Sequence, residues 1–206
     1  MSNLYLFFIA SLLLNITPGN DMLFVISRSI SQGIKGGVYS ALGIFLGCLV
    51  HIVGAVFGLS IIISKSAFLF DLIKFAGAGY LIYLGMKSLL SKVPVAETAQ
   101  NITQTTPMTL LKQGIITNVL NPKVAIFFLS FLPQFIDPTA GQVQWQLLML
   151  GLWFAVQGTF VLLLIASLVA KTRNFIKQNP TFWMIQEKIT GLILVGLGVK
   201  LVLSSK

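Results

Sequence analysis

Two polar motifs stand out in an otherwise apolar chain: Asn15-Ile16-Thr17-Pro18-Gly19-Asn20-Asp21 and Asn118-Val119-Leu120-Asn121-Pro122-Lys123. Proline removes a backbone donor and clashes with the preceding turn, while glycine permits angles that other residues avoid. Each motif therefore unwinds a helix, freeing carbonyls on one side and exposing N–H groups with partial positive charge on the other. The first break carries an acid, Asp21, and the second a cation, Lys123. A carboxylate in hydrocarbon costs roughly 2.5–3.5 kcal/mol on insertion scales, so it faces a cavity or a partner. Asp21 can bind an ammonium, carry a proton, or alternate between the two. Its plainer role is an N-terminal capping acid for the second half-helix, favoured by the dipole. Lys123 can meet a carboxylate, or snorkel from a shallow helix end.

These motifs sit inside segments that must cross a membrane. Of 206 residues, 56% are hydrophobic and 9% charged, against about 25% charged in a soluble domain. Mean hydropathy is +0.91. Apolar runs at roughly 4–26, 38–63, 66–90, 112–134, 145–170 and 186–204 each approach the ~20 residues of a spanning helix. The expected fold is an all-α integral membrane protein with six transmembrane helices, of which the first and fourth are broken. The apolar N-terminal run lacks a basic leader and a small-x-small cleavage site, so it reads as a retained span.

The polar segment Ser91–Thr109 divides the chain. A single transmembrane domain, 1–206, is expected, with one repeat at about 1–90, a linker at about 91–111 and a second repeat at about 112–206. Each repeat opens on a broken helix and closes on a glycine-rich one, Gly85-Met86-Lys87 and Gly198-Val199-Lys200, and Lys74-x-x-Gly77 echoes Lys188-x-x-Gly191. Three spans per repeat force the second to enter inverted. A pair of interrupted segments at matching places is a pointer to a transporter's binding site.

The net charge of +9 comes from 14 Lys+Arg against 5 Asp+Glu. Arg28, Lys35, Lys87, Lys92, Lys112, Lys171, Arg173, Lys177 and Lys188 cluster in the first, third and fifth loops, while Lys65, Lys74, Lys200 and Lys206 fall on the other side. Dispersal among short loops fits cytoplasmic-loop charge rather than a nucleic-acid patch, and places both termini outside the cytoplasm. The single cysteine, Cys48, excludes an internal disulfide and reads as a small buried residue. His51 shares a helical stripe with Gly43, Gly47, Gly54 and Gly58. It can relay protons or hydrogen-bond across a helix contact. Gln157 reads as an interhelical hydrogen bond, and Tyr80 and Tyr83 as packing or interface aromatics. No catalytic, metal or cofactor signature is found.

Several motifs in order resemble the lysine-exporter superfamily, in its homoserine/threonine-efflux branch. They are Thr17-Pro18-Gly19-Asn20-Asp21 with Ser27-Arg28-Ser29 and Gly33, Gly43 to Gly47, the run from Lys74 to Gly85, and Asn118 to Lys123 leading into Phe128 and Phe131-Leu132-Pro133-Gln134-Phe135. Asn20 departs from the second proline often found there. The resemblance implies export of amino acids, neutral or basic, across a bacterial inner membrane, driven by protons. It implies no enzyme activity.

Residues and resemblance converge on one site. Asn15, Thr17, Pro18, Gly19, Asp21, Asn118, Asn121, Pro122 and Lys123 are the expected substrate-binding residues, and Asp21 and His51 the proton-coupling ones. Asp21 and freed carbonyls would take the ammonium of a zwitterion; half-helix N-termini and Lys123 would take its carboxylate. The expected partners are an amino acid, protons and the bilayer, without nucleic acid; a homo-oligomer is left open. The alternative is a channel or structural membrane protein whose breaks line a pore or aid packing.

Overall fold

The computed structural model describes residues 4–60, 67–90, 105–177 and 180–203, and every regular element among them is helical. Helix α1 is Leu4–Ile16 and α2 is Asn20–Gly54, extended by a π-helical turn at Ala55–Leu59. Helices α3 and α4 are Ala67–Leu90 and Pro107–Val119. A short α5, Pro122–Ile126, continues through a π turn at Phe127–Phe131 and a 3-10 turn at Leu132–Phe135. Helices α6 and α7 are Val143–Lys177 and Pro180–Leu203.

Among the described residues, three helical stretches are long and apolar enough to cross a membrane: Asn20–Leu59, Phe68–Leu90 and Val143–Thr172. The pair Pro107–Val119 and Pro122–Phe135, bent by 48°, would make a fourth. The chain is thus an all-α, multi-pass membrane protein. At 13 residues, α1 spans about 20 Å and is too short to cross a bilayer alone.

Straight, the 35 residues of α2 would reach about 52 Å, well past the ~30 Å of hydrocarbon. Gly33 prevents that with φ 68° and ψ −161°, a left-handed angle that favours glycine. Residues eight apart in a helix lie about 12 Å apart. Here a side chain on Gly37 would instead run into Ser29 Oγ, and come within 2.6 Å of Ala166 Cβ. The chain therefore reverses at Gly33, and α2 is two helices folded back on each other. The two apolar runs at 4–26 and 38–63 left a loop between them. The structure keeps that segment helical on both sides of one residue, because only Gly33 departs from helical angles. Residues 61–63, and the linker from 91 to 104, lie outside the described residues.

Other boundaries move for local reasons. Helix α4 starts at Pro107 rather than near 112, because Thr106 Oγ1 accepts from Thr109 N at 3.3 Å and proline suits the first helical position. Between α5 and α6, Asp137 Oδ1 accepts from Thr139 Oγ1 and N and from Ala140 N, closing a 3-10 turn at Pro138–Ala140. Those bonds, the Thr139 hydroxyl first, hold this carboxyl below the usual range.

Glycines bring the helices together. A Cβ on Gly43 would strike the Leu111 carbonyl and lie 3.0 Å from Gly114 Cα; one on Gly47 would lie 2.8 Å from Ile115 O. The second half of α2 thus crosses α4 backbone to backbone. The stripe ends there, since Gly54 and Gly58 face open space. Helix α7 meets α3 in the same manner, with a Gly85 Cβ 2.8 Å from Gly191 O and a Gly198 Cβ 2.9 Å from Ala78 O. Lys188 closes that contact by donating to the Leu89 carbonyl.

Gly43→Ala should lower the melting midpoint of the detergent-purified protein. Its new methyl meets backbone on the partner helix, which cannot rotate away, and overpacking costs typically 1–3 kcal/mol. An unchanged midpoint would show that the crossing yields freely.

Candidate functional site

In an α-helix the carbonyl of residue i accepts from the N–H of residue i+4. Pro18 has no N–H, so the Leu14 carbonyl loses its donor. The chain then runs extended through Gly19, at φ −175° and ψ −173°, before α2 starts. Thr17 turns back on its own helix, donating from N (2.9 Å) and Oγ1 (2.6 Å) to Leu13 O. That leaves the Leu14 and Thr17 carbonyls without helical partners.

Pro122 does the same to Asn118. This carbonyl accepts instead from Asn121 N at 2.9 Å and from His51 Nε2 at 3.0 Å. A carbonyl only accepts, so that bond places the ring hydrogen on Nε2. The His51 ring also stacks on Phe128, at 5.8 Å and 17°. Asn121 starts α5 by accepting from Lys123 N at 3.0 Å.

Each break completes the other. Lys123 Nζ donates to Thr17 O at 2.7 Å and Leu14 O at 3.2 Å, filling two vacancies at the first break. In return, Asn118 Nδ2 donates to Asp21 Oδ2 at 2.8 Å. Gly19 makes room for the lysine, since a Cβ there would lie 3.1 Å from Nζ. All four polar side chains are buried, with Asp21 and Lys123 each 9% exposed and Asn118 and Asn121 at 2% and 1%.

The geometry revises two expectations. Asp21 is not the cap of α2: Gly19 holds that position without a side-chain bond, and Asp21 sits in the first turn. Nor are the freed carbonyls of α1 open to a ligand in this arrangement, because the protein's own lysine occupies them.

Asn15, Thr17, Asp21, Asn118 and Lys123 line one cavity of about 40 Å³, walled by apolar residues that include Met22 and Phe154. That is room for about three waters. Three buried polar atoms of the cluster have no hydrogen-bond partner: Asp21 Oδ1, Asn118 Oδ1 and Asn121 Nδ2. Two acceptors and one donor stand unsatisfied around Asp21 and Lys123, and a buried orphan costs about 1–3 kcal/mol. Such a set suits a small ligand carrying both donors and acceptors.

The expected residues thus converge. Five line the cavity; Asn121 and His51 lie one hydrogen bond behind it; Pro18, Gly19 and Pro122 shape the breaks. Asn15 Nδ2 donates to Gln157 Oε1 and Phe154 O, both at 3.2 Å, so Gln157 makes the interhelical bond expected of it. Asn15 abuts Gly158 of α6 as Asn118 abuts Gly47 of α2, with glycine Cβ positions 2.7 Å and 2.9 Å from the asparagine side chains. The main-chain acceptors of Leu14 and Thr17 were not foreseen as a lysine site. The proline four residues after Leu14 was their signal. Cys48 is buried and lines the cavity. Asp71 and Lys74 pair at 3.9 Å on α3, and neither lines this cavity.

The family profile described as LysE type translocator matches residues 12–205. The chain belongs to that family. The translocator is 35% identical over 197 residues to the Bacillus subtilis membrane protein YrhP, whose function is uncharacterised, covering 92% of this chain and 93% of that one. It is 27% identical over 199 residues to the leucine efflux protein of Salmonella typhimurium, covering 97% and 94%. An uncharacterised membrane protein of Vibrio cholerae is 28% identical over 196 residues, covering 95% and 94%. No solved structure matches. Family membership makes the protein a transporter.

Proposed function

We propose that the protein exports amino acids across the bacterial inner membrane in exchange for protons, binding them where its two helix breaks meet. The observation that carries this reading is the reciprocal bracing of the breaks around a buried acid and a buried lysine. A zwitterion presents an ammonium and a carboxylate together. Asp21 and Asn118 offer unsatisfied acceptors to the first. Asn121 Nδ2, the start of α5 and Lys123 offer donors to the second. Leucine, the substrate named for one group of relatives, fits such a site with its side chain against the apolar wall. The cavity of about 40 Å³ must widen to admit it.

Proton exchange follows from Asp21. Charged, its carboxylate attracts an ammonium; protonated, it does not. His51 is the second candidate, through its bond to Asn118. The matching contacts of Asn15 with Gly158 and of Asn118 with Gly47 support six spans arranged as two inverted repeats, about 1–90 and 112–206.

Counterflow in proteoliposomes, run across a panel of amino acids with leucine first, tests the function. Saturable exchange that responds to a pH gradient is the expected result. Flux that neither saturates nor exchanges would favour a channel instead.

The orientation is testable separately. Basic residues gather in the loops holding Arg28, Lys87, Lys112 and Lys171, so both termini should be periplasmic and the 91–111 linker cytoplasmic. Single cysteines in the linker, placed in a Cys48→Ala background, should react with impermeant thiol reagents only after the membrane is opened. Labelling of the linker from outside intact cells would overturn this orientation.

A further inference from the structure

We infer that Lys123 is a tethered stand-in for the substrate's ammonium, filling the ammonium site while the transporter is empty. The inference rests on the export reading above and assigns this lysine a part in its cycle. Leu14 and Thr17 present carbonyls at the C-terminal end of α1, where the helix dipole is negative. Asp21 Oδ1 and Asn118 Oδ1 add two buried acceptors without partners, and both residues line the same cavity. A cluster of acceptors around a small space suits a primary ammonium, which has three N–H donors and no acceptor. The ammonium found there belongs to the protein. Lys123 Nζ lies 2.7 Å from Thr17 O and 3.2 Å from Leu14 O, over a glycine that leaves it room.

Two ammonium groups on the same two carbonyls repel each other. They compete. An entering zwitterion draws Lys123 away with its carboxylate, and its own ammonium takes the carbonyls beside Asp21. When the substrate leaves, Lys123 returns. The empty protein then reorients without bare buried carbonyls and with a cation still near Asp21. Without the lysine, both would have to be carried through the return step, and unsatisfied buried groups and charges are costly. Lys123 therefore speeds the empty return more than it affects the loaded step.

Two fluxes of labelled L-leucine separate these steps. Exchange, with saturating leucine on both sides of a proteoliposome, never requires the empty protein to return. Net efflux into leucine-free buffer requires it in every turnover. Lys123→Met keeps the length of the side chain and removes its charge. It should slow net efflux about tenfold or more beyond any slowing of saturated exchange, as for loss of hydrogen bonds from a charged group. Gly19→Ala is the second variant. Its backbone is already extended, and its methyl would press on Lys123 Nζ and Cε from 3.1 Å and 3.2 Å, displacing the ammonium without removing it. It should show the same split, to a smaller degree. If Lys123→Met does not reach the membrane folded, Gly19→Ala decides alone. Equal loss of both fluxes would make Lys123 an ordinary binding or structural residue and overturn the inference; unchanged fluxes would overturn it too. Should the unaltered protein exchange no amino acid in the panel, the export reading itself fails and this role falls with it.

Discussion

Asp21→Asn should abolish efflux driven by a pH gradient, by about a hundredfold, while the protein still folds in the membrane. Asparagine keeps the size of the side chain, and its Oδ1 can still accept from Asn118 Nδ2, the bond that aspartate makes at 2.8 Å. What disappears is the charge. A hydrogen bond to a charged group contributes about 1.5–3 kcal/mol, a factor of about ten to a hundred in binding, and a site that cannot ionise also has no proton to exchange. A role limited to starting α2 would leave transport intact, because asparagine caps about as well as aspartate. The geometry already argues against that role, since Gly19 holds the cap position and Asp21 makes no cap bond. The measurement is leucine efflux from proteoliposomes under an imposed pH gradient, scaled to folded protein. Rates equal to those of the unaltered protein would end Asp21's part in coupling and leave His51 as the candidate.

The second large effect is expected where the prolines are removed. Pro18→Ala restores the N–H that the Leu14 carbonyl lacks, and Pro122→Ala restores the one that Asn118 lacks. Proline inside a helix costs about 3 kcal/mol, so each substitution lifts the main obstacle to a continuous helix. Once its acceptors bond within the helix, Lys123 loses Leu14 and Thr17, and His51 loses Asn118. Transport per folded molecule should fall about tenfold or more. Pro18→Ala should have the larger effect, because Asn121 still caps α5 in Pro122→Ala whereas no side chain caps α2. Flux per molecule undiminished in both variants would reduce the breaks to kinks. Loss of the protein from the membrane would instead assign the prolines to folding.

Some of this was legible along the chain and some was not, and the division has a physical basis. The breaks were legible because a proline's missing N–H and a glycine's missing Cβ are local, covalent facts. They predict which carbonyl is freed whatever surrounds it. The helices were legible because apolar runs in hydrocarbon have few other ways to satisfy their backbones. Asp21 and Lys123 could be marked as costly for the same reason. Less legible was the reversal inside α2. Glycine at position 33 permits a left-handed angle without requiring it, and the glycine at 54 keeps helical angles at φ −58° and ψ −40°. Which group answers each freed carbonyl was beyond sequence reasoning. Lys123 comes to Leu14 from 109 residues away and His51 to Asn118 from 67. Those pairings depend on how α2 crosses α4 and how α1 meets α5 and α6, and crossing geometry follows from side-chain fit between helices rather than from any one segment. The amino-acid sequence determined where the backbone would lack partners. The tertiary structure decided that each break would supply them to the other.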